Sequence, residues 1–113
     1  MNDCLFCKIV GGEIPAKEIY RDDAIVAIAD ATPQAPTHVL VLPRKHYATL
    51  ASVIDGGDHV LAGRLFAIAT KVARDAGSGG FRLVVNSGEE GGQTVDHVHV
   101  HVLAGRQMTW PPG

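Results

Sequence analysis

His97-Val98-His99-Val100-His101-Val102 sets three imidazoles alternately with three valines. A period of two belongs to a β-strand, whose successive side chains leave on opposite faces. The pattern predicts a strand over residues 95–103, with His97, His99 and His101 on one face and Val98, Val100 and Val102 in the core. The chain has only six histidines, so aligning half of them calls for a chemical reason. Rings two residues apart sit about 6.5–7 Å from each other at Cα, a spacing that can surround one tetrahedral group. Three uses are open. The row is a solvated face, a metal site, or a phosphate site with one ring as nucleophile and its neighbours on oxygens.

The segment before the strand favours phosphate. Residues 87–93 form a glycine-rich loop in which Gly91-Gly92-Gln93-Thr94 offers close-approaching backbone N–H groups, an amide and a hydroxyl. Such a loop can donate to anionic oxygens without net positive charge. Asn86, at the end of a strand predicted over 81–86, adds a further polar head. Upstream, residues 4–10 read as one or two helical turns stopped by Gly11-Gly12. Residues 18–21 and 24–29 read as a hairpin turning at Asp22-Asp23. Thr32-Pro33-Gln34-Ala35-Pro36 is a stiff loop, and 37–43 a third strand ended by proline.

After Gly56-Gly57 comes the one long helix. Leu61, Leu65, Ile68 and Val72 make its apolar stripe, Asp58 its N-cap and Gly77 its stop before Ser78-Gly79-Gly80. Hairpin, strand, long helix and two loop-joined strands predict an α+β fold with a five-stranded antiparallel sheet, one long helix and a short N-terminal helix. The 113 residues suit a single domain. A hydrophobic fraction of 46% against 19% charged argues against long disorder. A net charge of −2 with no Lys/Arg run gives no footprint for a nucleic-acid partner.

No apolar run approaches a membrane span, and Met1-Asn2-Asp3-Cys4 lacks a signal-peptide pattern, so a cytoplasmic protein is expected. In a reducing compartment Cys4-Leu5-Phe6-Cys7 points to metal binding or redox work. Two thiols three apart suit half of a tetrahedral zinc site, with His46 and His97 as candidates for the other half. His59, on the long helix, reads as plain surface.

With Leu103 added, His97 to Leu103 matches the signature of the histidine triad (HIT) superfamily, and the chain resembles its Hint branch of histidine triad nucleotide-binding proteins. Further matches are Glu13-Ile14-Pro15-Ala16-Lys17, Asp30, Pro33-Gln34-Ala35-Pro36-Thr37-His38, Gly91-Gly92-Gln93-Thr94-Val95 and the tail Gly105 to Gly113. The resemblance runs from Cys4 to Gly113 and implies a single HIT domain over 1–113, assembled as a homodimer with its sheets joined.

It also implies a purine nucleoside phosphoramidate hydrolase in which His99 forms a nucleotidyl-histidine intermediate. His101, Gln93, Thr94, Asn86 and the Gly92 amide would hold phosphate oxygens. His38 would orient the triad or relay a proton, and Asp30 would bind the ribose. Leu5, Phe6, Ile9 and Ile28 match a purine slot, although ordinary core explains those four equally well. Some bacterial-type members use a Cys, Cys, His, His zinc pattern, and Cys4, Cys7, His46 and His97 match it. With that structural zinc present, His97 leaves the catalytic account. Two other readings stand beside the hydrolase: a nucleotide-binding regulatory protein with incidental hydrolysis, and a dinucleoside polyphosphate hydrolase.

Overall fold

The computed structural model describes residues 3–77 and 79–113. Ser78, in the segment after the helix stop, and the reading of Met1 and Asn2 lie outside those residues. The chain builds α1 (Leu5–Val10), β1 (Glu18–Arg21), β2 (Ile25–Ala29), β3 (Thr37–Pro43), α2 (Leu50–Asp55), α3 (His59–Asp75), β4 (Phe81–Val84) and β5 (Val100–Ala104). One antiparallel sheet runs β1-β2-β3-β5-β4, so the histidine-bearing strand lies inside the sheet and β4 forms one edge. This is the α+β architecture expected, with one helix more. No helix among the described residues is long and apolar enough to cross a membrane.

The hairpin closes at Asp22, whose carboxylate accepts from the Ala24 and Ile25 amides at 2.8 Å. This side-chain mimicry of a backbone turn is what aspartate does well at such positions. Arg64 of α3 reaches the same carboxylate at 3.0 Å and ties helix to hairpin. The long helix begins at Asp58, which accepts from the Leu61 amide, and stops before Gly77, whose φ of 77° suits the left-handed stop. The unexpected α2 is six residues long. Thr49 caps it, exchanging hydrogen bonds with Ser52.

The sheet is covered on both sides. Val39, Val41, Val100 and Val102 face α3, where they meet Leu61, Leu65, Ala69 and Val72. Each large apolar side chain so buried is worth about 1.5–3 kcal/mol. Leu40, Leu42, Val26 and Ile28 point the other way and pack on Phe6 of α1. Because side chains alternate, His38 shares this second face with Leu40 and Leu42.

The histidine strand starts later than expected. Regular pairing begins at Val100; residues 95–97 bend, with the His97 amide donating to the Val95 carbonyl at 2.9 Å, and residues 98 and 99 lie outside the ladder. The reason is Pro43. In the register that pairs Val41 with Val100, the next partners run toward Pro43, which has no N–H to continue the ladder. The Val98 amide donates to the Tyr47 carbonyl at 2.8 Å instead. Alternation survives the loss of pairing: Val98, Val100 and Val102 are all in the core. The fourth strand also ends two residues early, at Val84, leaving Asn86 in the following loop.

Candidate active site and metal centre

His99 is 6% exposed and makes a 2.8 Å hydrogen bond through Nδ1 to the His97 carbonyl. A carbonyl only accepts, so Nδ1 carries the hydrogen and Nε2 keeps its lone pair. Burial holds the ring's pKa below its ordinary 6.5, which keeps it neutral near pH 7. Phe6 packs edge-on against the ring at 5.0 Å between centroids and fixes its plane. A neutral, oriented imidazole with one unshared nitrogen is a nucleophile.

His101 lies beside it, with ring centroids 5.0 Å apart, and its Nδ1 is 2.9 Å from His38 Nε2. Burial, with His99 and His38 as neighbours, pushes His101 down to about 4. An unfolded histidine takes its proton near 6.5, so between pH 6.5 and 4 the unfolded chain holds one more proton at this position. Stability contributed by the neutral ring is present above 6.5 and is lost as pH falls through this window. The expected slope is up to about 1.4 kcal/mol per pH unit, and His101→Gln should remove it. Urea midpoints at pH 7 and pH 5 check this, and equal pH slopes in both proteins would contradict it.

Asp30 follows β2. Its Oδ1 accepts from the Thr32 amide at 2.8 Å and its Oδ2 lies 3.3 Å from His38 Nε2. It also lines a cavity of about 650 Å³, in which all four predicted slot residues, Leu5, Phe6, Ile9 and Ile28, meet Thr94. The sequence reading did not assign Pro15, Ala16, Lys17, Leu40 or Val95 to this wall. The Ile-Pro-Ala-Lys run was the available signal, but nothing local says which cavity it faces.

The glycine-rich loop is organised differently from the expectation. Gln93 accepts from the Gly88 amide at 2.9 Å and donates to the Ala48 and Val95 carbonyls. Asn86 donates to the Gly91 carbonyl, and the Gly92 amide donates to Glu89. These three groups staple the loop, and a phosphate would have to draw the Gln93 and Gly92 donors away from protein acceptors, while Asn86 gives one of its two amide hydrogens to Gly91. Gly91 is required by close packing: a Cβ there would sit 2.7 Å from the Ser87 carbonyl oxygen.

Cys4, Cys7, His46 and His97 converge at the other end of the row. His97 Nδ1 lies 3.3 Å from Cys4 Sγ, 3.4 Å from Cys7 Sγ and 3.2 Å from His46 Nδ1. Cys7 Sγ is also 3.3 Å from His46 Nδ1. Zinc with Zn–S near 2.3 Å and Zn–N near 2.05 Å requires tetrahedral edges of about 3.5 Å for N···S and about 3.3 Å for N···N. Hydrogen bonding alone fits less well. His97 Nε2 donates to the Pro43 carbonyl at 2.8 Å, so Nδ1 of the neutral ring holds a single lone pair, yet three donor atoms surround it. Burial favours that neutral ring. The Pro43 bond is the outer-shell contact that orients a metal-bound imidazole. The four residues fit a zinc ion.

The family model for the HIT domain matches residues 11–108. The chain is 42% identical to the "14 kDa zinc-binding protein" of Brassica juncea, over 98% of this chain and all of that one. It is 41% identical to "Adenylylsulfatase HINT1" of Arabidopsis thaliana, over 96% of this chain and 76% of that one. In structure it resembles a HIT family hydrolase from Legionella pneumophila, with a TM-score of 0.89 and 51% identity over 98% of this chain and 100% of that one.

Proposed function

Because the chain belongs to the HIT domain family, we propose that it is a purine nucleoside phosphoramidate hydrolase acting through His99. The observation that carries this reading is the His99 Nδ1–His97 carbonyl bond, which leaves Nε2 as the one reactive nitrogen of a buried neutral ring. In the first step Nε2 attacks the α-phosphorus, a bond from phosphorus to His99 forms as the substrate P–N bond breaks, and the leaving nitrogen keeps the electron pair and takes a proton from solvent, departing as the amine and leaving a nucleotidyl-histidine. Water then attacks the same phosphorus, the phosphorus–histidine bond breaks with its pair returning to Nε2, and the water's proton passes to solvent, releasing the nucleoside monophosphate and the free ring. Two easier displacements replace one hard one.

His101 and Thr94 serve the phosphoryl oxygens, together with Gln93, Asn86 and the Gly92 amide once the loop yields its donors. Asp30 takes the ribose hydroxyls, as a carboxylate with two acceptor oxygens can. Leu5, Phe6, Ile9 and Ile28 sandwich the base. Cys4, Cys7, His46 and His97 hold a structural zinc, whose chemistry there is to tether the N-terminal turn to the catalytic strand. His97 is thereby a ligand and a backbone acceptor rather than a nucleophile.

The Arabidopsis relative's name favours a second substrate class, adenylyl sulfate, in which sulfate replaces the amine as leaving group. A turnover screen of nucleoside 5′-phosphoramidates with varied base and amine, run beside adenylyl sulfate and a dinucleoside polyphosphate, separates these readings. Nucleotide affinity without turnover on any of them would favour the regulatory protein.

The protein works as a homodimer. Phe81 is exposed on the β4 edge, the side of the sheet on which a second copy extends it. Sedimentation equilibrium should give twice the chain mass at micromolar concentration, and a monomer there would exclude the dimer.

A further inference from the structure

The loop Pro33-Gln34-Ala35-Pro36 contributes a group that sequence reading overlooks. The Gln34 backbone N–H donates to His38 Nδ1 at 3.0 Å. An amide N–H only donates, so Nδ1 of His38 must be the unprotonated nitrogen, and the ring's hydrogen sits on Nε2. That Nε2–H faces His101 Nδ1 at 2.9 Å and Asp30 Oδ2 at 3.3 Å. His101 Nδ1 therefore accepts, and the hydrogen of a neutral His101 lies on Nε2.

We propose that the Gln34 backbone amide is a positioning group that sets the tautomers of His38 and His101 in series, making His101 Nε2–H a fixed donor to the substrate phosphoryl group and closing the His38 path to proton relay. This deepens the phosphoryl-transfer reading and rests on it for the identity of the acceptor. The closure follows from valence. For His38 to pass a proton to His101 it must gain one at Nδ1, where the Gln34 hydrogen already stands. Without that gain, giving up Nε2–H would leave an imidazolate. His38 orients its neighbour and does not conduct.

The same logic separates two clusters that look alike. Asp30, His38 and His101 bring a carboxylate and two imidazoles within 4.8 Å, as the cysteine cluster brings its four ligand atoms. Metal binding through His38 Nε2 would push that ring's hydrogen onto Nδ1, against the Gln34 N–H. The neighbours of His97 Nδ1 are instead two thiols and an imidazole, which can lose their hydrogens to a metal as a backbone amide cannot, and the ring's own hydrogen is held at Nε2 by Pro43. The backbone thus directs metal to one cluster and hydrogen bonding to the other.

Long-range ¹H–¹⁵N correlation of the histidine rings, on the full chain with zinc and without nucleotide, tests the tautomers directly. The expected result is neutral Nε2–H rings for both His38 and His101 near pH 7. A Nδ1–H or doubly protonated His38 overturns the proposal. Replacing the Gln34 amide by an ester, through its α-hydroxy acid analogue, exchanges the N–H for an oxygen that cannot donate and leaves every side chain in place. His38 should then populate both tautomers, and kcat should fall roughly tenfold with KM little changed, since a misassigned tautomer impairs catalysis with geometry intact. Unaltered ring tautomers in the ester overturn it. Gln34→Ala keeps the amide and should keep both tautomers, and a switch there would assign the effect to the side chain and overturn it likewise. The ring measurements need no substrate, so failure of the phosphoramidase reading shows in turnover alone.

Discussion

Replacing His99 by alanine is expected to lower turnover of a nucleoside 5′-phosphoramidate by about 10⁴-fold or more while leaving nucleoside monophosphate binding within a few-fold of the parent. The asymmetry follows from the placement of the ring. Asp30 and the four slot residues proposed for ribose and base come from α1, β2 and their flanks and keep their backbone support in the variant, which loses only the ring contact between Phe6 and His99. The covalent step has no substitute nucleophile nearby: His101 Nδ1 is engaged with His38, and His97 faces the cysteines. Isothermal titration with the monophosphate and single-turnover kinetics measure the two halves separately. A parent reaction quenched in acid should yield nucleotide covalently attached to protein, and His99→Ala should not. Turnover within tenfold of the parent would reject His99 as the nucleophile.

Replacing both Cys4 and Cys7 by serine is expected to abolish a one-per-chain zinc content and to lower the melting temperature by about 10 °C or more. Structural zinc is worth about 10–16 kcal/mol in peptides that have no other core. Here the sheet has its own core, with Val41, Leu42, Val100 and Val102 fully buried, so the chain should stay folded and lose only a few kcal/mol. For a domain of this size each kcal/mol moves the midpoint by about 4 °C. The loss should reach the histidine strand, because the His97 ring belongs to the candidate zinc cluster while its carbonyl holds the His99 ring. Metal analysis and thermal unfolding, with and without a chelator, test this. A parent protein that carries no zinc after expression with zinc supplied would refute the metal assignment.

Much of the site could be read from sequence because its chemistry is concentrated in short runs. The His-Val alternation specified which side chains face the core, and it did so even where the hydrogen-bonded ladder is absent. Val98 is fully buried although Pro43 has ended the pairing beside it. Side-chain alternation depends on extended backbone alone, whereas strand boundaries depend on what the neighbour offers. α2 escaped notice for a related reason. Its six residues show too few turns for periodicity, and its Thr49 and Ser52 cap lacks the usual acidic partner.

The glycine-rich loop marks what residue types leave open. Gln93, Asn86 and the Gly92 amide have the donors that a phosphate site needs, yet each has a protein acceptor. Composition names the available donors. It does not say which carbonyl lies within reach.

The sequence by itself determined the sheet-and-helix class, the face carrying the histidines, and the four metal-competent residues. Each is a property of local period, spacing or recognisable motif. Tertiary structure alone decided what each ring touches. Three histidines of one row differ because His97 meets two thiols and a proline carbonyl, His99 a carbonyl two residues back, and His101 a neighbour whose tautomer a distant amide sets. An imidazole can donate or accept at either nitrogen, so its role belongs to the atoms it touches, and those are separated from it by up to 93 positions in the chain.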